Sequence, residues 1–77
     1  MPDFSIPVGR YQHYKGKPYE VIGQAYHSET LEPLVVYKAL YQSEFPEGTL
    51  WVRPLKMFLE TVVVNGQAVP RFQKVKS

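Results

Sequence analysis

The chain has 77 residues, no Cys, and nine Lys and Arg against seven Asp and Glu, which gives a formal net charge of +2. This length suits one domain near the lower limit of what a hydrophobic core stabilises without help, and the lack of Cys excludes disulfides and thiolate metal sites. The charge is too small to indicate a nucleic-acid partner by itself. We expect an aromatic core, because the chain carries six Tyr, four Phe and one Trp.

The sequence shows no targeting or membrane segment. Its opening residues, MPDFSIPVG, lack the basic stretch and apolar run of a signal peptide. No apolar stretch approaches the roughly 20 residues that cross a bilayer. The absence of Cys also fits a reducing compartment. We therefore expect a cytoplasmic protein without a membrane partner.

The chain divides into an arm, one domain and a short tail. Residues 1–8 carry two Pro and no periodicity, which predicts an extended N-terminal arm held by Phe4 and Ile6. Residues 9–75 are predicted to form a single β domain. Residues 76–77 are a tail, and no linker or repeat divides the chain.

Two strands are predicted ahead of the centre of the chain. GRYQHYK, from Gly9 to Lys15, alternates as a first strand, and Pro18 to His27 follows as a second. Gly23 in the second strand allows a bend. Alternation places on the core-facing side of that strand Tyr19, Val21, Gly23 and Ala25.

The third predicted strand, LVVYKALY from Leu34 to Tyr41, is the centre of the fold. It is β-branched and aromatic without Gly or Pro, a pattern typical of a strand covered on both faces. The face that carries Lys38 is otherwise apolar. The opposite face carries Val35, Tyr37, Ala39 and Tyr41. For the core we expect Val21, Val36 and Val52.

A loop, QSEFPEG, separates this strand from a short fourth one. Thr49 to Arg53 is predicted to be extended, and Pro54 must end the pairing. Pro is favoured at the start of a helical turn, so Leu55 to Glu60 is predicted to form one α or 3₁₀ turn. We expect that turn to close one end of the fold with Met57, Phe58 and Leu59.

The strongest hairpin signal in the chain is Asn65-Gly66. A type I′ turn needs positive φ at both central residues, and these two residue types adopt it readily. The turn joins a strand from Thr61 to Val64 to an edge strand from Gln67 to Val75. Pro70 fits only an edge strand, because it has no N–H to donate.

These elements predict an all-β fold. Five to six short strands, one short helical turn and no long amphipathic pattern leave few alternatives. The fold class that fits best is a small SH3-like barrel, strongly bent and partly open.

Three blocks of the sequence resemble a small bacterial family known as domain of unknown function 1653. The blocks are GRYQHYKGKPYEVIG, AYHSETLEPLVVYKALY and LWVRPLKMFLETV, and the resemblance runs from about Gly9 to Val64. The resemblance extends weakly to the PRF at Pro70 to Phe72. It implies a compact β domain and brings no established activity.

The residues that catalysis would need are few and badly spaced. His13 and His27 lie in different predicted strands, and no HxH, HxxxH or HExxH pair places two metal ligands together. His27, Ser28 and Glu29 read instead as turn chemistry, in which side chains bond to nearby backbone N–H groups. The Gly residues are dispersed, so no phosphate-binding loop is indicated. We expect no enzyme activity, no metal and no cofactor.

The aromatic residues carry the stronger functional signal. An indole beside a guanidinium offers an apolar plane and a fork of donors, which suits a base, a phosphate or a carboxylate. Trp51 and Arg53 share one face of the fourth strand. We predict a binding surface that comprises Tyr11, His13, Tyr37, Trp51 and Arg53, with Lys15 at its rim.

The leading ligand class for this surface is a nucleic acid or a nucleotide. The alternative is a protein or peptide partner that uses the same aromatic surface or the predicted edge strand. A purely structural interpretation also stands, in which the rings fill the core, Trp51 caps it, and Arg53 pairs with Glu20 or Glu60.

Overall fold

The computed structural model describes residues 6–75, which form seven short strands and one helical turn. The N-terminal arm before Ile6, including Phe4, and the tail at residues 76–77 lie outside the described residues. In chain order the elements are β1 (Gly9–His13), β2 (Pro18–Tyr26), β3 (Pro33–Ala39), β4 (Leu50–Pro54), α1 (Leu55–Phe58), β5 (Thr61–Val64), β6 (Gln67–Pro70) and β7 (Phe72–Lys74).

The strands form two antiparallel sheets. The larger has the order β4-β3-β2-β1-β7, and the smaller is the β5-β6 hairpin. The predicted class, an all-β fold that is partly open and has one short helix, is confirmed. The more specific description, SH3-like, stays a prediction. No helix within residues 6–75 is long and apolar enough to span a membrane.

The edge strand predicted from Gln67 to Val75 is two strands, which raises the number of strands to seven. β6 pairs with β5, and β7 pairs with β1 at the edge of the larger sheet. The break is at Arg71, whose N–H donates to the Glu60 carbonyl at 2.9 Å and whose carbonyl accepts the Tyr14 N–H at 2.9 Å. One residue thereby links the two sheets.

The hairpin turn at Asn65-Gly66 is as predicted. Asn65 has φ 52° and Gly66 has φ 80°, so both central residues are in the left-handed region that a type I′ turn requires. The register places Val64 opposite Gln67 and Val63 opposite Ala68, without a bulge.

The helical turn after Pro54 is also confirmed, although Pro54 is the residue before its first turn. Pro54 has φ −53° and ψ 139°, and α1 begins at Leu55. Of the three predicted plug residues only Phe58 is buried, whereas Met57 and Leu59 are exposed. The Phe58 ring stacks on Phe72, with ring centroids 4.2 Å apart and planes 5° from parallel.

The core lies on the face of β3 that carries Val35 and Tyr37. Val21 is buried as predicted, but the assignment of Val36 and Val52 to the core is wrong, since Val36 is half-buried and Val52 is 60% exposed. Both faces of LVVYKALY are apolar, so the sequence pattern does not decide which face α1 and β7 cover. The buried cluster comprises Tyr11, Val21, Val35, Tyr37, Phe58 and Phe72.

β2 bends at the position where its Gly was expected to allow it. Val21 pairs with Tyr37, but Gly23 pairs with Val36, so β2 has one extra residue at a bulge. Cross-strand partners share a face of the sheet. Beyond the bulge, each side chain of β2 therefore lies on the face opposite to the one that simple alternation assigns to it. The assignment of Gly23 and Ala25 to the core-facing side is therefore wrong.

We predict that Val35→Asp unfolds the domain, because it places a carboxylate without a partner in the buried cluster of a small protein. Val52→Asp is the matched control on the exposed face and should change the free energy of unfolding by less than about 1 kcal/mol. Urea denaturation followed by circular dichroism measures both. A folded Val35→Asp variant with wild-type stability would contradict the assigned faces.

Candidate functional site

A cavity of about 260 Å³ opens on the core-facing side of the larger sheet, near its β4 edge. We call it the aromatic pocket. Its wall combines rings with a few polar groups, and it is lined by Tyr19, Tyr37, Tyr41, Ser43, Glu44, Phe45, Trp51 and Arg53.

Strand register brings the floor of the pocket together. Tyr37 of β3 pairs with Trp51 of β4, and the next pair on the same face joins Val35 to Arg53. Cross-strand partners share a face, so Trp51 and Arg53 flank Tyr37 on the side of the core. Trp51 remains 37% exposed because β4 is the last strand of its sheet.

The loop between β3 and β4 forms the outer wall. The Phe45 ring meets the Trp51 ring edge to face, with centroids 5.1 Å apart and planes at 88°. The Ser43 N–H donates to the Phe45 carbonyl at 2.9 Å, and the Phe45 N–H donates to Ser43 Oγ at 3.2 Å. The Gly48 N–H donates to the Ala39 carbonyl at 2.8 Å. These hydrogen bonds hold the loop against the sheet.

Three tyrosines form a corner of perpendicular rings. The Tyr19 ring meets Tyr37 at 79° and Tyr41 at 82°, with centroids 5.4 Å apart in both pairs. The hydroxyls of Tyr19 and Tyr41 are hydrogen-bonded to each other. Burial, followed by this hydrogen bond, raises the pKa of Tyr19. Its phenol therefore stays neutral at physiological pH and acts as a hydrogen-bonding group.

Arg53 is the basic residue of the pocket, and no carboxylate within residues 6–75 forms an ion pair with it. Its Nε donates to the Tyr37 hydroxyl at 3.4 Å, and its Cζ lies 5.7 Å from the Phe72 ring centroid. The alternative interpretation, in which Arg53 pairs with Glu20 or Glu60, is not what residues 6–75 show. A half-buried guanidinium without a counter-ion has N–H donors to offer an anion.

The two carboxylates named in that alternative are paired with other basic residues. Glu20 lies 3.6 Å from Lys38 Nζ, and Glu60 lies 2.7 Å from Arg71 Nη2. Lys38 is on the outer face of the sheet, and Arg71 lies at the link between the sheets. Both carboxylates are thus engaged away from Arg53.

Of the six predicted binding residues, the structure brings three into the aromatic pocket: Tyr37, Trp51 and Arg53. Tyr11 is 6% exposed, and its hydroxyl donates to the Pro7 carbonyl at 2.8 Å. It belongs to the core and lies outside the pocket. His13 lines a second cleft, and Lys15 is exposed with its Nζ 5.8 Å from the Tyr14 ring centroid.

Sequence reasoning missed the other lining residues. The sequence could have indicated Tyr41, because alternation places it on the same face of the third predicted strand as Tyr37. Phe45 also carries a signal, since it is an aromatic residue in a loop that is otherwise polar. Nothing in the sequence shows that this loop folds back over β4. The missed residues are Tyr19, Tyr41, Ser43, Glu44 and Phe45.

His13 lies on the far side of Phe72, with ring centroids 5.0 Å apart. Its Nδ1 accepts the Lys15 N–H at 3.1 Å. Burial lowers the pKa of His13, and the positive charges of Arg71, Arg53 and Lys15 lower it further. The imidazole is therefore neutral at physiological pH. Within the described part of the chain, no three His, Cys, Asp or Glu side chains come together as metal ligands.

The fold is a small antiparallel β domain with an aromatic pocket on its inner face. The family model described as "Protein of unknown function (DUF1653)" matches residues 9–74, and the chain belongs to this family. A crystal structure of a DUF1653 protein from Bordetella bronchiseptica is similar, with a TM-score of 0.80 and 38% sequence identity. The match covers 91% of this chain and 87% of that one. The comparison with curated proteins finds no match.

We predict that Arg53→Gln raises the pKa of His13, because it removes one of the positive charges that oppose imidazole protonation. An NMR titration of the His13 ring measures the shift. Arg10→Gln, which changes an exposed Arg of β1, is the matched control and should leave the value unchanged. An unaltered His13 pKa in Arg53→Gln would contradict the placement of the guanidinium.

The same lowered pKa predicts how stability depends on pH. The folded His13 has a pKa below its ordinary 6.5, so the unfolded chain takes up a proton first as the pH falls. The stability that comes from the neutral His13 is fully present above pH 6.5 and is lost as the pH falls toward the folded-state pKa of this residue. His13→Gln should reduce the loss of stability in that window, as measured by urea denaturation between about pH 5 and 7. An identical pH dependence in His13→Gln and the wild type would contradict it.

Proposed function

We propose that this domain is a non-catalytic binding module that holds a nucleotide in the aromatic pocket, either free or as one unit of a single strand. The observation that carries the proposal is Arg53, a guanidinium among aromatic rings with no ion pair to residues 6–75. A cytoplasmic location, expected from the sequence, belongs to the same proposal.

The chemistry of the pocket suits both parts of a nucleotide. Bases stack on aromatic side chains with about 1–3 kcal/mol per base, and this stacking tolerates any sequence. Trp51 and Tyr41 offer such rings in the lining of the pocket. Arg53 offers a fork of donors that matches phosphate geometry. The rings would hold the base, and the guanidinium would hold the phosphate.

A second cation lies close to the first. Lys17 Nζ is 5.1 Å from the centroid of the Tyr41 ring, so a positive charge lies beside one wall of the pocket. Lys17 is exposed and forms no ion pair among the described residues. A phosphate on a strand that leaves the pocket past Tyr41 would meet this ammonium group.

The absence of catalysis is part of the proposal. The pocket has Tyr19, whose raised pKa keeps its hydroxyl protonated, and Ser43, whose Oγ accepts a backbone N–H. The Tyr19 hydroxyl is hydrogen-bonded to Tyr41, and no hydrogen bond joins Ser43 Oγ to a His or a carboxylate within residues 6–75. The neutral His13 ring lines a different cleft. These features support binding in preference to bond cleavage.

A peptide ligand is the second candidate, favoured by the position of β4. This strand is at the edge of the larger sheet, and no other strand of the described chain pairs with its outer side. An extended peptide could add to that edge and place one side chain in the aromatic pocket. Salt separates the two candidates, because phosphate contacts weaken steeply with ionic strength and apolar contacts do not.

We predict that Arg53→Gln weakens binding of a short single-stranded oligonucleotide by at least about tenfold, since it removes hydrogen bonds to a charged phosphate. The NMR signal of the Trp51 indole N–H reports binding, because Trp51 is the only Trp in the chain. Wild-type affinity should fall as salt is raised from about 50 to 200 mM. Arg10→Gln should bind like the wild type.

Two results would count against the proposal. Oligonucleotide and mononucleotide binding that Arg53→Gln leaves intact would place the ligand elsewhere. An extended peptide that shifts the Trp51 signal equally at low and high salt, while no nucleotide does, would establish the peptide candidate instead.

A further inference from the structure

The aromatic pocket carries two opposite charges that do not neutralise each other. Arg53 and Glu44 both line it, yet no ion pair joins them. Glu44 also forms no ion pair with any other described residue. The pocket is therefore dipolar, with a donor group on its floor and an acceptor group on its loop wall.

Hydrogen bonds fix the main chain of the loop on both sides of Glu44. Ser43 and Phe45, which flank Glu44, are joined by two hydrogen bonds, and the Phe45 ring rests against Trp51. At the end of the loop that leads into β4, Thr49 Oγ1 donates to the Pro46 carbonyl at 2.6 Å. The loop main chain is thus fixed near the rings, and only the Glu44 side chain has to adjust.

A carboxylate beside a site for an anion restricts the ligand. An ionised Glu accepts hydrogen bonds and donates none, so it repels a phosphate and any base edge that presents acceptors to it. A ligand fits when its anionic group lies at Arg53 and a pair of N–H donors lies at Glu44. Between these two ends it must be flat enough to lie against Trp51 and the Tyr rings.

Among the common nucleobases, guanine meets this requirement best. Its Watson–Crick edge presents N1–H and N2–H₂ side by side, which match the two oxygens of a carboxylate. Adenine and cytosine each present one amino group beside a ring-nitrogen acceptor. Uracil presents one N–H between two carbonyls. Each of these three bases would place an acceptor against a carboxylate oxygen or leave that oxygen without a donor.

Resting on the proposed function, we propose that the aromatic pocket selects guanine nucleotides, with Glu44 at the Watson–Crick edge of the base and Arg53 at the phosphate. Glu44 acts as the specificity residue, whereas Arg53 and the rings bind any nucleotide. The two roles can be separated by mutation, because they belong to different side chains on different elements.

The test compares GMP, AMP, CMP and UMP by NMR titration of the Trp51 indole N–H in the full chain. We expect GMP to bind at least about fivefold more tightly than the other three, as expected for one bidentate contact to an exposed carboxylate. Glu44→Gln should abolish this preference. Arg53→Gln should weaken all four ligands alike.

Glu47→Gln is the matched control. Glu47 belongs to the same loop and is exposed, but it does not line the pocket, so the variant makes the same change in charge and should keep the guanine preference. A trinucleotide with one central guanine, compared with GMP, distinguishes a strand from a free nucleotide. Tighter binding of either the trinucleotide or GMP supports guanine selection if Glu44→Gln weakens that binding. Binding that Glu44→Gln leaves unchanged contradicts it.

Guanine selection can fail while nucleotide binding in the aromatic pocket stands, and the experiment tells the two outcomes apart. Equal binding of the four nucleotides, still sensitive to Arg53→Gln, would overturn guanine selection alone. No binding of any nucleotide or trinucleotide would overturn both. Glycine betaine is a further probe, because a quaternary ammonium group also suits an aromatic cage. If glycine betaine binds more tightly than GMP, the pocket is a site for a small dipolar ligand and the guanine assignment is wrong.

Discussion

The contact on which this domain depends is the stack of Phe58 on Phe72. Phe58 comes from the helical turn after β4, and Phe72 comes from β7 at the opposite edge of the sheet, so the two parallel rings join the ends of a bent sheet. A chain of this size without Cys has no covalent link to do the same. The rest of the inner face is arranged around Phe72.

The same ring connects the core to the candidate site. Phe72 lies 5.6 Å from the centroids of Tyr19 and Tyr37, and its ring supports the guanidinium of Arg53 at 5.7 Å. The aromatic residues that make a small core possible therefore also form the floor of the pocket. This sharing explains why the site is rich in Tyr and Trp and has few charges. We therefore expect ring substitutions to change stability and the proposed binding together, whereas changes to the charged groups of the pocket should separate the two.

The sequence predicted most of the fold for local reasons. Asn65-Gly66 determined its hairpin because two adjacent residues suffice for a type I′ turn. The division at Arg71 was not predictable, because it depends on hydrogen bonds to Glu60 and Tyr14, which are distant in sequence. For the same reason the apolar alternation of β3 did not identify its buried face.

The candidate site was predictable in part. Strand alternation placed Trp51 and Arg53 together, and that pairing stands in the aromatic pocket. It also placed them on the face opposite Val52, which is correct. Val52 was expected to face the core, whereas the core lies on the side of Trp51 and Arg53. The wall that carries Phe45 comes from a loop, and loop paths follow tertiary contacts that no periodic pattern records.

We expect Arg53 to serve the proposed ligand and not the fold. Arg53 contacts the Tyr37 hydroxyl and the Phe72 ring but has no counter-ion within residues 6–75. A half-buried charge without a counter-ion is a cost to the free protein, so an uncharged side chain of similar length should be tolerated. The most direct measurement is the free energy of unfolding of Arg53→Met, with Arg71→Met as the control that breaks the ion pair to Glu60. We expect Arg53→Met to equal or exceed the wild type in stability while it loses nucleotide binding, and Arg71→Met to be less stable. A loss of more than about 1 kcal/mol in Arg53→Met, beyond the range of an ordinary surface substitution, would show that the guanidinium stabilises the fold and is not reserved for a ligand.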